Sequence, residues 1–153
     1  MKREEAYRWA IGQVRSKVKN HVDVIATLAN TAAILKERIP DFFWVGFYLL
    51  KSDHLILGPF QGPPACVKLS LESGVCAASV RSGKTVIVPD VGRYPGHVTC
   101  DSRSKSEIVV PLKDQRDRIK GVLDVDSVRL NDFGQLDGDN LEKIATELRS
   151  IWV

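Results

Sequence analysis

The sequence predicts an α+β fold: a single domain in which an antiparallel sheet is flanked by helices. Three observations lead there. The chain has 153 residues, about what one compact core needs without metal or disulfide support. Both ends carry apolar residues at three-and-four spacing, the signature of amphipathic helices. The middle carries short apolar runs broken by Gly, Pro, Ser and Asp, the punctuation of strands joined by turns.

Taken in order, Ala6, Trp9, Ala10, Val14 and Val18 line one side of a first helix, whose Lys and Arg residues are expected to form a solvated face. Ile25, Leu28, Ala29, Ala32, Leu35 and Ile39 repeat on one side of a second, with Asn20 or Asp23 as its cap and Pro40 as its stop. Residues 42–50 are apolar at both parities and rich in aromatics, as a central strand covered on both faces should be. Ser52-Asp53 turns the chain into a second strand at 55–60, making a hairpin that Pro63-Pro64 ends. A short strand at 66–69, a helix at 74–81 and a short strand at 85–88 follow. Residues 90–106 are polar and include Gly92, Pro95 and Gly96, a connection long enough to be functional or mobile. Strands at 108–112 and 119–125 pair across the turn at 114–117, and a helix at 136–152 closes the chain.

Composition excludes several classes. With 44% hydrophobic and 27% charged residues the chain is neither disordered nor fibrous. A formal charge of +3, with no basic run, gives little attraction for nucleic acid, which is not expected as a partner. Met1-Lys2-Arg3-Glu4-Glu5 has no apolar stretch behind its charges, unlike a secretory signal, and residues 42–50 are too short to span a bilayer. A cytoplasmic location without membrane association is therefore expected. In that reducing compartment Cys66, Cys76 and Cys100 read as reactive, ligating or buried thiols rather than a disulfide framework, and their odd number agrees.

Candidate chemistry follows from side-chain direction. Trp44, Gly46 and Tyr48 point to one face of their strand, and Gly46 leaves a gap between two rings that suits a thioether methyl; the plain alternative is that both rings are core. Asp124 and Asp126 share one face of the strand at 119–125 and its continuation, either as ordinary solvent-facing acids or as a pocket to which Glu107 adds a third carboxyl. Acids so placed can bind an ammonium group, or hold a proton at neutral pH and donate it. Cys76 sits among small and apolar residues and reads as a buried thiol, while Cys66 is ambiguous by itself. Cys100 lies in the polar loop near His97, Arg103 and Lys105, a cationic setting that favours thiolate, with Asp101 opposing it. His97 and the three cysteines make a poor zinc set, because zinc sites use two close-spaced pairs and only His97 and Cys100 are close. No bound metal is expected.

Several segments together resemble the free methionine-(R)-sulfoxide reductase family, a branch of the GAF-domain superfamily, over roughly residues 22–147. They are Trp44-Val45-Gly46-Phe47-Tyr48, Leu57-Gly58-Pro59-Phe60-Gln61-Gly62 leading to Pro64-Ala65-Cys66, Gly74-Val75-Cys76, Tyr94-Pro95-Gly96-His97-Val98-Thr99-Cys100-Asp101, Ser106-Glu107-Ile108-Val109-Val110-Pro111, and Gly121-Val122-Leu123-Asp124-Val125-Asp126-Ser127. The resemblance implies a GAF-like sheet, Cys100 as nucleophile, Cys66 as principal resolving thiol and Cys76 as auxiliary. It also implies that Trp44, Tyr48, Glu107, Asp124 and Asp126 surround the substrate, free methionine sulfoxide. Turnover would pass through a Cys100 sulfenic acid and a disulfide reopened by thioredoxin, with no metal, flavin or nicotinamide cofactor. A homodimer is a candidate assembly. The alternative is a non-catalytic GAF-type sensor of a small molecule or of redox state, although such modules usually adjoin an output domain that a chain of this length is not expected to hold.

Overall fold

A computed structural model describes residues 2–39 and 41–153. The α+β class is as expected. Among the described residues the elements run α1 (Arg3–Lys19), α2 (Val24–Arg38), β1 (Trp44–Lys51), β2 (His54–Gln61), β3 (Lys68–Ser70), α3 (Val75–Ser82), β4 (Val86–Val88), β5 (Ser106–Lys113), β6 (Ile119–Ser127) and α4 (Gln135–Glu147). The strands form one six-stranded sheet in the order β3-β2-β1-β6-β5-β4, antiparallel at every pairing.

Strand alternation splits the interior into two clusters. Val45 and Phe47 of β1, Ile108, Val110 and Leu112 of β5, and Leu123 and Val125 of β6 pack against α1, α2 and α4. On the opposite face Trp44, Tyr48, Val109 and Val122 meet Val75 and Cys76 of α3. Each fully buried Leu, Ile or Phe contributes roughly 1.5–3 kcal/mol, so the helical face, with the larger cluster, supplies most of the hydrophobic stabilisation and leaves the other free to be shaped for chemistry. No described helix is long and apolar enough to cross a membrane.

Asp23 caps α2 as expected, its carboxylate accepting the Ala26 amide at 3.1 Å. Pro40, the expected stop, lies outside the described residues. The buried stripe of α2 is rotated from the one read in the sequence: Thr27, Leu28, Thr31, Ala32, Ile34 and Leu35 face inward, while Ile25 and Ala29 are exposed. Two threonines can be buried because their hydroxyls donate to the carbonyls of Asp23 and Thr27, one turn earlier, at 3.0 and 2.8 Å. Apolar periodicity is blind to that satisfaction.

The basic face of α1 is not simply solvated. Arg3 donates to Asp137 at 3.1 Å and to the Asp132 carbonyl at 2.8 Å, Arg15 donates to Glu147, and the fully buried Tyr7 donates to Asp137 at 2.6 Å. These contacts pin the first helix to both ends of α4. Two boundaries also differ from the expectation. Cys66 precedes β3 instead of lying on it, since Pro63 and Pro64 have no amide to offer a ladder and pairing resumes only at Lys68. The final helix ends at Glu147 and tightens into a single 3-10 turn at Leu148–Ser150.

Candidate active site

Register brings the acids together. Asp126 of β6 stands opposite Trp44 of β1 on one side and Glu107 of β5 on the other; in the next row Asp124 stands opposite Gly46 and Val109. Because alternate residues share a face, Trp44, Tyr48, Glu107, Asp124 and Asp126 all open onto one pocket, together with Cys76 from α3 and Cys100 from the loop after β4. The acids are therefore not ordinary solvent-facing residues of an edge strand. β6 is central, and Glu107 and Asp124 are buried.

Burial dominates their electrostatics. It pushes the Glu107 carboxyl up to about 8, with the charge of Asp126 acting the same way. Asp124 is driven well above the usual carboxylate range by burial and by Glu107, and Asp126 by burial and by Asp124. Cys76, the free cysteine, is also buried, and burial beside Asp124 pushes its thiol up. Burial thus favours the protonated forms of these acids, and among the described residues Asp124 Oδ1 has no hydrogen-bond partner. An unpaired buried acceptor is costly, and a cationic donor entering the pocket would satisfy it. Single ligand-type atoms of Cys76, Glu107 and Asp124 lie within 4.8 Å of one another.

The rings are arranged differently from the sequence reading. The gap over Gly46 is filled: a Cβ there would lie 2.7 Å from Trp44 Cη2 and would collide with Phe60. Trp44 stacks on Phe60 at 5.3 Å and on Tyr48 at 6.0 Å, so glycine is required for close aromatic packing and provides no methyl slot. Both rings also use their polar ends, Trp44 Nε1 donating to the Pro63 carbonyl at 3.1 Å and Tyr48 Oη to the Cys66 carbonyl at 2.8 Å.

At the rim Cys66 and Cys100 are joined in a disulfide, with Cα atoms 5.4 Å apart, although they are separated by 34 positions. Cys100 is exposed and Cys66 half-buried. The loop around Cys100 is less cationic than its composition suggests. Arg103 is held by Asp101 through bonds of 2.7 and 3.0 Å, which bring the Asp101 carboxyl down to about 2. Burial lowers the pKa of His97, whose Nε2 lies 3.7 Å from Glu107 Oε1, and so favours its neutral form. His97 and the three cysteines, a poor zinc set in the sequence, are not brought together, since Cys66 and Cys100 are bonded to each other and Cys76 sits with the acids.

Phe43, Pro64, Val98 and Ser104 also line the pocket and were not singled out from the sequence. Phe43 was hidden by parity, for the chain bends before β1 begins: Phe42 enters the helical core and Phe43 joins Trp44 on the pocket side. A short loop ahead of an aromatic strand is the signal that could have suggested it. Phe43 in turn carries the Arg103 guanidinium 4.9 Å above its ring.

Comparison with known proteins gives a consistent neighbourhood. The family model described as GAF domain matches residues 21–152. The GAF domain-containing protein A of Dictyostelium discoideum is 48% identical over 143 residues, 93% of this chain and 89% of that one. The free methionine-R-sulfoxide reductase of Escherichia coli (strain K12) is 44% identical over 127 residues, 83% of this chain and 76% of that one. An X-ray structure of the free methionine-R-sulfoxide reductase from Neisseria meningitidis in complex with its substrate superposes with a TM-score of 0.93 at 45% identity, covering 97% of this chain and 89% of that one.

Proposed function

This chain belongs to the GAF domain family and, within it, to the free methionine-R-sulfoxide reductases, and from that membership we propose that it reduces free L-methionine-(R)-sulfoxide to methionine with its own cysteine thiols. The observation that carries the reading is the conjunction of a Cys66–Cys100 disulfide at the rim with three carboxyls on the pocket wall. A sensor that only binds a ligand needs no redox pair at its mouth.

In the reduced enzyme the Cys100 thiolate attacks the sulfoxide sulfur while a buried acid gives its proton to the oxygen. The oxygen then passes to the Cys100 sulfur: the new sulfur–sulfur bond and the substrate S–O bond break, a Cys100 S–O bond forms, methionine leaves as the reduced thioether, and Cys100 is oxidised to a sulfenic acid. Glu107 is the donor we assign, because a carboxyl poised at about 8 keeps its proton at neutral pH and yields it with a small driving force. Asp124 and Asp126 take the substrate ammonium, whose positive charge favours their ionised forms. Trp44 and Tyr48 wall the thioether. The Cys66 thiolate then displaces the sulfenic oxygen as water, and a dithiol such as thioredoxin in a reducing cytoplasm reopens the disulfide. Cys76 lies against the acids rather than at the rim, which suits an auxiliary thiol. Residues 1–153 act as one domain in this reading, since α1 is tied to α4 through Arg3 and Tyr7.

The test is selectivity. A peptide-linked methionine sulfoxide lacks the free ammonium and would leave buried acids unpaired, at a cost of roughly 1–3 kcal/mol or more, which corresponds to about a tenfold to hundredfold lower kcat/KM. Only one epimer can turn its oxygen toward Glu107 once the ammonium and sulfur are fixed. Comparable kcat/KM for the free (R) substrate and its N-acetylated, C-amidated form would sink the proposal.

A further inference from the structure

Trp44 and Tyr48 have a second connection. Each ring faces the pocket, and each polar end is bonded to one backbone segment, residues 62–67. Trp44 Nε1 donates to the Pro63 carbonyl at 3.1 Å and Tyr48 Oη donates to the Cys66 carbonyl at 2.8 Å. The segment is laid on the rings from its first residue. Gly62 has φ +136°, and a Cβ there would stand 2.7 Å from Trp44 Cδ1, a backbone conformation and a clearance that only glycine provides. Its far end is tied by the Val67 carbonyl, which accepts the Leu57 amide at 2.9 Å. Proline at 63 and 64 removes two donors, so between Gly62 and Val67 these two aromatic polar ends are the described hydrogen bonds that fix where Cys66 sits.

We infer that Tyr48 and Trp44 are positioning residues for the resolving step: they hold the Cys66 segment where its sulfur meets that of Cys100. The inference rests on the reading of Cys100 as nucleophile and Cys66 as resolver. The step is Cys66–S⁻ + Cys100–S–OH + H⁺ giving Cys66–S–S–Cys100 + H₂O; a sulfur–sulfur bond forms, the S–O bond breaks and water carries the oxygen away. Cys100 reaches this encounter from a loop 34 positions further along the chain. A disulfide closes only over a narrow Cα separation, about 4.4–6.8 Å, and the 5.4 Å found here is within it. A Cys66 segment free to drift would spend most of its time outside that window. Using the substrate walls as anchors couples the two half-reactions, because the rings that seat the sulfoxide also set the resolver beside the product sulfenic acid.

Tyr48→Phe keeps the ring and removes the hydroxyl, and Trp44→Phe removes the indole N–H. In a single turnover of the reduced protein, methionine release is measured by chromatography, disulfide closure by intact mass, and the Cys100 sulfenic acid by dimedone trapping. The quantity read is the ratio of the closure rate to the release rate, which a general loss of packing would not move. Loss of one hydrogen bond is expected to lower that ratio about fivefold in Tyr48→Phe, with more Cys100 trapped by dimedone. In a Cys66→Ser background the excess trapping should disappear, since there is no resolver to misplace. An unchanged ratio in both Tyr48→Phe and Trp44→Phe overturns the inference, as does excess trapping that survives Cys66→Ser. Failure of the underlying thiol assignment looks different: Cys100→Ser would still release methionine, or Cys66→Ser would still close a disulfide, between Cys100 and Cys76, at the wild-type rate.

Discussion

Cys100 and Cys66 are one bond in this structure but occupy unlike positions, the first exposed on a long loop and the second half-buried and held by Tyr48. Single-residue changes should separate them. Cys100→Ser is expected to abolish methionine release, whereas Cys66→Ser should release methionine once per protein and then fail to recycle with thioredoxin. Single-turnover release from both variants checks this, and full release from Cys100→Ser would reverse the roles. Glu107 makes a second residue-level prediction. Its carboxyl is pushed up to about 8, so the protonated form is lost as pH rises past that value. The alkaline limb of kcat/KM should fall there, and Glu107→Gln should remove that limb while lowering kcat by roughly 10²- to 10⁴-fold. An alkaline limb unchanged in Glu107→Gln would reassign the proton to Asp124 or Asp126.

At the scale of elements, β1 and β6 act as one scaffold: Trp44 opposite Asp126, Gly46 opposite Asp124, Tyr48 opposite Val122. The loop between β4 and β5 behaves differently. Its ends are anchored by the Val91 amide on the Lys105 carbonyl and the Lys105 amide on the Ser127 carbonyl, at 2.9 and 2.7 Å, while its middle is held by Cys66, by the Asp101–Arg103 pair and by Arg103 over Phe43. Reduction removes the covalent anchor and leaves contacts that are exposed and individually weak. The expected outcome is a loop that orders on ligand binding in the reduced protein. Hydrogen exchange across residues 97–104 should slow when methionine is added, and equal exchange with and without it would rule out a lid.

For the whole molecule, the site carries a stability consequence. The native Glu107 pKa of about 8 stands above its ordinary value of 4.5, so between these limits the folded protein keeps a proton that the unfolded chain releases. Stability from this group is present at acidic pH and declines as pH rises from about 4.5 to about 8, by roughly 1.4 kcal/mol per pH unit for one such group. Asp124 and Asp126 are raised as well and have the same sign. Unfolding measured from pH 5 to 8 should therefore show a falling midpoint, and Glu107→Gln should flatten the fall; an equal decline in wild type and variant would mean that this acid is not held neutral by the fold.

Much of this was legible in the chain. Alternation in 44–48 and 121–127 placed Trp44, Tyr48, Asp124 and Asp126 on common faces before any pairing was known, because side-chain direction in a strand is set by the backbone. The motifs around the three cysteines pointed to the reductase family, and Asp23 was one of the two caps the chain offered for α2. Other features depended on distant parts of the chain. Which of two strand faces would be a pocket was decided when β6 took the central place between β1 and β5, burying carboxyls that at an edge would have been solvated. The stripe of α2 turned because Thr27 and Thr31 satisfied their own hydroxyls, and the loop around Cys100 became less cationic because Asp101 pairs with Arg103 and burial disfavours the charged form of His97. The sequence determined side-chain direction and residue chemistry, which are local. Tertiary structure decided burial, protonation and the meeting of Cys66 with Cys100, since each depends on atoms that only the folded chain brings together.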